Sequence, residues 1–200
     1  MSGALVSLVL AAGHARRFGE DKLLKPLQGA PIIAYAMKAA RAAPAARVIV
    51  VKRPGAALDQ ACRDAAEGDA RVRFLDIDSA AMSDSLRAGL QAAGDAAGVF
   101  VFLGDMPLTP PHLAASLADK LEGHFAVAPR FAGAPGHPVL LSARAVQAAM
   151  TLEGDRGAGA LLRQHEAEMA FLDIEDERVI IDVDTLEDYQ RLARRDGESD

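Results

Sequence analysis

"LVLAAGHARRFGEDKLLKPL", residues 8–27, is the stretch on which the fold turns. An apolar run stops at Ala12-Gly13, and a polar loop with three cations, Arg16, Arg17 and Lys22, follows it. A short, nearly all-apolar run ending at glycine is the pattern of a strand buried on both faces. The same pattern recurs along the chain. Strands are expected at Leu5–Ala11, Val48–Val51, Val72–Leu75, Val99–Leu103 and Phe125–Ala128. Between them lie helical patterns at about 31–43, 56–67, 83–94 and 110–122. Leu86 and Leu90 share one helix face, as do Leu113, Leu117 and Leu121. Ser83 is placed to cap the third helix, and Thr109 to cap the fourth with Pro110 in its first turn. Strand–helix alternation of this kind builds a parallel sheet with helices on both faces, a three-layer α/β/α architecture.

Beyond residue 128 the pattern changes. "PRFAGAPGHP" reads as a Gly/Pro-rich loop, "VLL" as a short strand, and helices are expected at about 143–150 and 157–166. Two more strands are expected near 168–174 and 178–183. A last helix follows Thr185, with Asp188 at the capping-box position. Residues 1–194 read as one domain and 195–200 as a flexible tail.

The 22 Lys and Arg against 28 Asp and Glu leave a net charge of −6. Such a chain has no global attraction for nucleic acid or an anionic membrane, so an anion site must be local. The apolar N-terminal run is followed, not preceded, by arginines, against the order of a secretory signal. No run approaches the roughly twenty apolar residues of a membrane helix. The single Cys62 suits a reducing compartment and reads as a small core residue. These features together give the expectation of a soluble cytoplasmic protein.

In open α/β sheets ligands bind beyond the carboxyl ends of the strands. Two such places carry chemistry-bearing residues. In the first loop, Gly13 and Gly19 permit unusual backbone angles, and Ala11-Ala12 let a ligand approach the main chain. Arg17 is suited to clamp phosphate oxygens and Lys22 to supply a point charge. On composition alone a solvated basic loop is the other reading. The loop matches neither G-x-x-x-x-G-K-S/T nor G-x-G-x-x-G. At the second place, "FLGDMP", Asp105 either binds Mg²⁺ or makes a turn before Pro107.

"LAAGHARRFGEDKLL" resembles the L-A-A/G-G-x-S-x-R-M/F-G-x-x-K signature of the nucleotidyltransferases related to molybdenum cofactor cytidylyltransferase, the MobA-like NTP transferases. Leu10, Ala11, Ala12, Gly13, Arg17, Gly19 and Lys22 fall on signature positions, and Ala15 stands where that family has a hydroxyl residue. "GDMP" is similar to the family's metal-binding motif, "MSDSLRAGL" (82–90) to M-S-x-S-L-x-x-G-L, and "GHPVLL" (136–141) to G-H-P-V-L. "LEGDRGAGALL" (152–162) is similar to L-x-G-D-x-G-A-R-x-L-L with Gly159 for the arginine, and "IDVDTLEDY" (181–189) to I-D-I-D-T-P-E-D with Leu186 for the proline.

The resemblance implies a Rossmann-like, mostly parallel sheet of the nucleotide-diphospho-sugar transferase type. It also implies a Mg²⁺-dependent enzyme that moves CMP from CTP to the phosphate of a molybdenum–pterin cofactor. By it, Leu10, Ala11, Ala12, Gly13, Arg17, Lys22, Ser83, Ser85 and Asp105 contact the nucleotide, with Arg17, Lys22 and Asp105 catalytic. His137 and Asp155 would sit on the acceptor side. Asp105 and Asp184 would hold the metal, with Asp182 as support or alternative. Ala12 resembles the cytidylyl rather than the guanylyl branch. A molybdoenzyme or its maturation factor is the implied partner. Two other readings stand beside this one: another phosphorylated acceptor such as a sugar 1-phosphate, and a non-catalytic carrier of the molybdenum cofactor.

Overall fold

The computed structural model describes residues 3–13, 21–79, 81–151 and 158–195. Its elements run β1 (Leu5–Ala11), β2 (Pro26–Leu27), β3 (Ala30–Pro31), α1 (Ile32–Ala42), β4 (Arg47–Lys52), α2 (Ala56–Ala66), β5 (Val72–Asp76), α3 (Met82–Ala93) and β6 (Gly98–Leu103). There follow α4 (Leu113–Ala118), β7 (Ala126–Phe131), β8 (Ala134–Pro135), β9 (Val139–Ser142), α5 (Ala143–Ala149), α6 (Ala158–Gln164), β10 (Ala170–Asp173) and α7 (Leu186–Arg195). The main sheet has the order β10-β7-β9-β6-β1-β4-β5, with β8 paired to β7. All contacts along that path are parallel except those of β9, which runs against both β6 and β7.

The central strands are nearly all apolar because both sheet faces are covered, with Ser7 in β1 and Arg47 and Lys52 at the ends of β4 as the polar members. In β1, Val6 and Leu8 pack into one core with Ile49, Val51, Val99, Val101 and the helices α3, α5 and α6. Val9 and Ala11 face the opposite core with Val48, Val50, Phe100, Phe102, α1 and α2. This two-residue alternation between two cores is what a strand in the middle of three layers demands. Cys62 lies fully buried in the α1–α2 core, where burial pushes its thiol up to about 11. Gly89 lets α3 lie close to the sheet, since a Cβ there would stand 2.3 Å from Leu8 Cδ1.

The structure departs from the sequence expectations in four places. The stretch 178–183 is not a strand. It holds a 3-10 turn, Glu177–Ile180, and then runs as a strap across the carboxyl end of the sheet. Val179 and Val183 are buried, which is the source of the apolar signal. Their backbones bond to loops rather than to a ladder: Val179 accepts from His137 N–H at 2.8 Å, and Val183 donates to the Asp105 carbonyl at 2.9 Å. Second, Ser83 does not cap α3, which begins one residue earlier with Ala81 at the cap position. Third, Thr109 turns its hydroxyl back to the Met106 carbonyl at 3.2 Å, and α4 starts only at Leu113, beyond Pro110 and Pro111. Fourth, the Gly/Pro-rich loop after β7 is a tight hairpin to β8. Its turn residues Ala132 and Gly133 both have positive φ, 47° and 83°.

Gly136, which follows that hairpin, has a specific packing reason. A Cβ on it would stand 2.4 Å from the Val179 carbonyl oxygen, a backbone atom that cannot swing aside. Gly136→Ala is therefore expected to destabilise the fold by about 1–3 kcal/mol through overpacking, read as a lower midpoint in urea unfolding at unchanged slope.

Candidate active site

The chain leaves β1 for β4 and β5 on one side, then returns through α3 to place β6 on the other side of β1. The crevice between β1 and β6 is thus the topological switch point of the sheet, where ligands bind in such folds. Leu10 and Leu103 are register partners there, and Gly104 N–H donates to the Leu10 carbonyl at 2.9 Å. A Cβ on Gly104 would lie 3.0 Å from that same oxygen. Glycine before the acid therefore lets the Asp105 loop close onto the end of β1.

Lys22 stands on a single 3-10 turn, Lys22–Leu24, whose N-cap is Asp21 and whose anchor is the buried Leu23. Its ammonium donates to Asp105 Oδ2 at 2.7 Å and to Asp184 Oδ1 at 2.8 Å. Burial alone would lower the Lys22 pKa. The two carboxylates outweigh that and hold it above the ordinary lysine value, so the group is charged at neutral pH.

Asp184 is delivered by the strap. The bond from Val183 N–H to the Asp105 carbonyl fixes its residue next to Asp105, although the two lie far apart in sequence. The strap then enters α7 through a reciprocal cap. Thr185 N–H and Oγ1 both donate to Asp188 Oδ2 at 2.9 and 2.7 Å, and Asp188 N–H donates to Thr185 Oγ1 at 3.1 Å. Asp182, two residues before Asp184, has its carboxyl raised above the ordinary range by burial, with the charges of Asp184 and Asp105 adding to the effect. The Lys22 ammonium thus bridges two carboxylates, with a third within electrostatic reach. Among the described residues no group of three or more His, Cys, Asp or Glu is arranged to hold a metal by itself.

Around these charges is a cavity of about 280 Å³ lined by Leu10, Ala11, Ala12, Gly13, Lys22, Ser85, Leu103, Asp105 and Asp184 among others. Of the two serines on α3, Ser85 lines it, whereas Ser83 is buried in the helix's first turn. Arg17 and Asp155 lie outside the described residues. His137 is set apart from the first cavity. It lines a second, more apolar cavity of about 450 Å³ with Val101, Leu141, Gly159, Arg163 and Phe171. Its Nδ1 lies 3.3 Å from the Val101 carbonyl, and burial depresses its pKa, so the imidazole is neutral. Val101 and Leu103 sit two residues apart on one face of β6 and line one cavity each, so the cavities adjoin along that strand.

Two lining residues have no reading from sequence. Ser79 closes the loop before α3 by donating to Asp84 Oδ2 at 2.6 Å and accepting from Ala81 N–H at 3.2 Å. Met82 is 56% exposed at the rim, a large apolar side chain that no core accounts for. Only its place at the head of "MSDSL" marks it. Among the described residues no helix is long and apolar enough to cross a membrane.

Comparison with known proteins adds to this geometry. Residues 7–169 match the family model described as MobA-like NTP transferase domain. The chain is 30% identical over 210 residues to purine catabolism protein PucB of Bacillus subtilis, covering 95% of this chain and 96% of that protein. It is 33% identical over 161 residues to 2-C-methyl-D-erythritol 4-phosphate cytidylyltransferase of Nocardia farcinica, covering 80% of this chain and 67% of that one. Among solved structures, Rv0371c of Mycobacterium tuberculosis superposes with a TM-score of 0.83 at 26% identity, covering 97% of this chain and all of that one. Rv0371c has also been solved in complex with manganese.

Proposed function

The chain belongs to the MobA-like NTP transferase family, and on that premise we propose that it transfers CMP from CTP to the phosphate of a molybdenum–pterin cofactor, releasing pyrophosphate. The observation that carries the reading is the Lys22 ammonium held between Asp105 and Asp184 at the β1–β6 switch point. A cation and two carboxylates face a cavity whose other wall is the small-residue end of β1. The cytidylyltransferase relative supports CTP as the nucleotide.

The charges also test whether a divalent ion fits. The charged lining groups are Lys22, Asp105 and Asp184, which sum to −1. That sum repels a triphosphate unless more positive charge is present. Two carboxylates suit Mg²⁺, a hard cation that takes oxygen ligands. Asp105 and Asp184 would hold such an ion, and it would supply charge neutralisation at the phosphates. Lys22 and Arg17 then neutralise the rest of the triphosphate. The acceptor's phosphate oxygen attacks the α-phosphorus in line, and pyrophosphate leaves. A phosphate monoester has its second pKa near 6, so the nucleophile is already ionised and needs no general base. The protein's part is positioning and electrostatic stabilisation.

The second cavity, which His137 lines, takes the acceptor, and the resembled motif assigns Asp155, outside the described residues, to the same substrate. Gly159 leaves a cationic position vacant relative to the resembled motif, and Arg163, one turn further along α6, lines the same cavity and is the cation available to an acceptor phosphate. The cytidylyltransferase relative favours one second reading, transfer to another phosphorylated acceptor. The test is pyrophosphate release from each of the four NTPs, with Mg²⁺, with the pterin cofactor or with sugar phosphates. CTP-selective release requiring the pterin is expected. Release with a different acceptor would assign the second reading, and release with none would end both. We place the reaction in the cytoplasm, in keeping with the single free Cys62.

A further inference from the structure

We infer that Arg53 is a positioning residue that clamps both ends of the loop after β1 and so organises the nucleotide site; the inference rests on the function proposed above. Arg53 is the first residue beyond β4, at the carboxyl edge of the sheet, and its side chain is 17% exposed. One arm of its guanidinium donates to the Gly13 carbonyl at 3.0 Å. The other pairs with Asp21 Oδ2. Gly13 and Asp21 are the described residues on either side of 14–20, so one side chain joins the two ends of that loop.

Three features make this more than a surface ion pair. First, the Asp21 carboxylate serves two partners. Its Oδ1 accepts from Leu23 N–H at 3.2 Å and caps the turn that carries Lys22, while its Oδ2 meets Arg53. Arg53 therefore acts on the orientation of the catalytic ammonium through Asp21. Second, a carbonyl oxygen near a phosphate repels it. Gly13 lines the cavity, and pairing its carbonyl with a guanidinium offsets that repulsion. Third, the clamp projects from a fixed base. The preceding Lys52 is buried between Asp59 and Asp76, and its carbonyl accepts from Ile77 N–H at 2.9 Å, so the end of β4 is held by α2 and by the chain leaving β5. The forked guanidinium meets its two acceptors with separate nitrogens, Nη1 toward the Gly13 carbonyl and Nη2 toward the Asp21 carboxylate, a span that the single nitrogen of a lysine does not reproduce.

The clamp can be read without nucleotide. The loop contains Arg16 and Arg17, both tryptic sites. In the full chain, Arg53→Ala is expected to speed tryptic cleavage after Arg16 or Arg17 by about tenfold, because Gly13 and Asp21 are then no longer joined through one side chain. The thermal midpoint should stay near the parent's. Binding of CTP with Mg²⁺, by calorimetry, should weaken by about tenfold on loss of a charge-assisted pair. Arg53→Lys should fall between. Asp21→Asn retains a capping oxygen and loses the charge, so it should shift both readouts in the same direction and serves if the alanine variant fails to fold. The double variant Arg53→Ala/Asp21→Asn should be no worse than the worse single change. Unchanged cleavage overturns the clamp whatever nucleotide does. Faster cleavage with unaltered CTP affinity overturns its role in the site. A parent protein that binds no CTP sinks the proposed function instead, and faster cleavage would then still uphold the clamp.

Discussion

Lys22→Ala is expected to lower kcat/KM for the nucleotide by about 10²–10³-fold, the usual cost of removing one preorganised charge from a transition state. Arg16→Ala should leave it close to the parent. Both changes remove one positive charge from the same loop region, so net charge and long-range steering are altered equally. What differs is place. Lys22 lies in the switch-point cavity, half-buried, with its ammonium 2.7 Å from Asp105 Oδ2 and 2.8 Å from Asp184 Oδ1. Arg16 falls between the positions that the resembled signature marks, and lies outside the described residues. Steady-state pyrophosphate release at saturating acceptor separates the two. Equal losses would mean that the loop contributes only diffuse positive charge.

Lys22→Ala also leaves Asp105, Asp182 and Asp184 without their ammonium. Burial lowers the Lys22 pKa and its partners raise it further than that, so the net shift is upward. A group raised in the folded state stabilises the fold at every pH below its unfolded value, and that contribution is lost as pH climbs through the folded value. The parent therefore has this stabilisation in full at neutral pH, and the variant should melt lower there.

The sequence-level reading succeeded where one principle governs a whole element. β1, β4 and β6 are apolar on both faces because two cores enclose them, and that pattern cannot be written any other way. It failed where apolar burial and strand pairing part company. Val179 and Val183 are as buried as strand residues, yet they serve a strap whose hydrogen bonds go to Asp105 and His137. Nothing local distinguishes a valine pinned against a loop from one in a ladder. Ser83 failed because α3 begins one residue before it, and Thr109 for a different reason. Serine and threonine near a helix start favour capping only if their hydroxyls have no nearer carbonyl, and Thr109 has Met106. The capping box at Thr185 was legible because it is reciprocal and local.

The site divides along the same line. Lys22 and Asp105 follow β1 and β6, so the strand ends marked them as candidates, and the resembled motifs chose a site over a solvated loop and a turn. Asp184 reaches them through a strap that sequence patterning read as a strand, and only the resembled motif marked it. Arg53 belongs to no motif, because its partners are a backbone carbonyl and a capping aspartate. His137 and Lys22 face adjoining but separate cavities. A division of that kind lies in the sheet order, with β9 inserted antiparallel between β6 and β7, and not in any spacing of residues.

Asp105→Asn should separate catalysis from stability. Activity is expected to fall by about 10³-fold or more, since the change removes a carboxylate from the proposed metal pair and a partner that aims Lys22. The fold should lose little. Lys22 keeps Asp184 at 2.8 Å, and the amide still fits beside Gly104. The substitution also relieves Asp182, whose carboxyl is raised first by burial, then by Asp184, then by Asp105. The sign is opposite to that of an ordinary salt-bridged aspartate. A carboxyl raised in the folded state leaves the fold most stable while it is protonated, and stability is lost as pH rises through the raised folded value. The parent bears this loss with both neighbouring charges in place, and the variant with one of them gone. The midpoint of Asp105→Asn relative to the parent should therefore climb as pH rises from about 4, the ordinary aspartate value, toward 7. A differential scan across that range, run beside the activity assay, decides the matter. A variant that is inactive and steadily less stable than the parent as pH rises would show that Asp105 holds the fold together, and that its acid is there for Lys22 rather than for a metal.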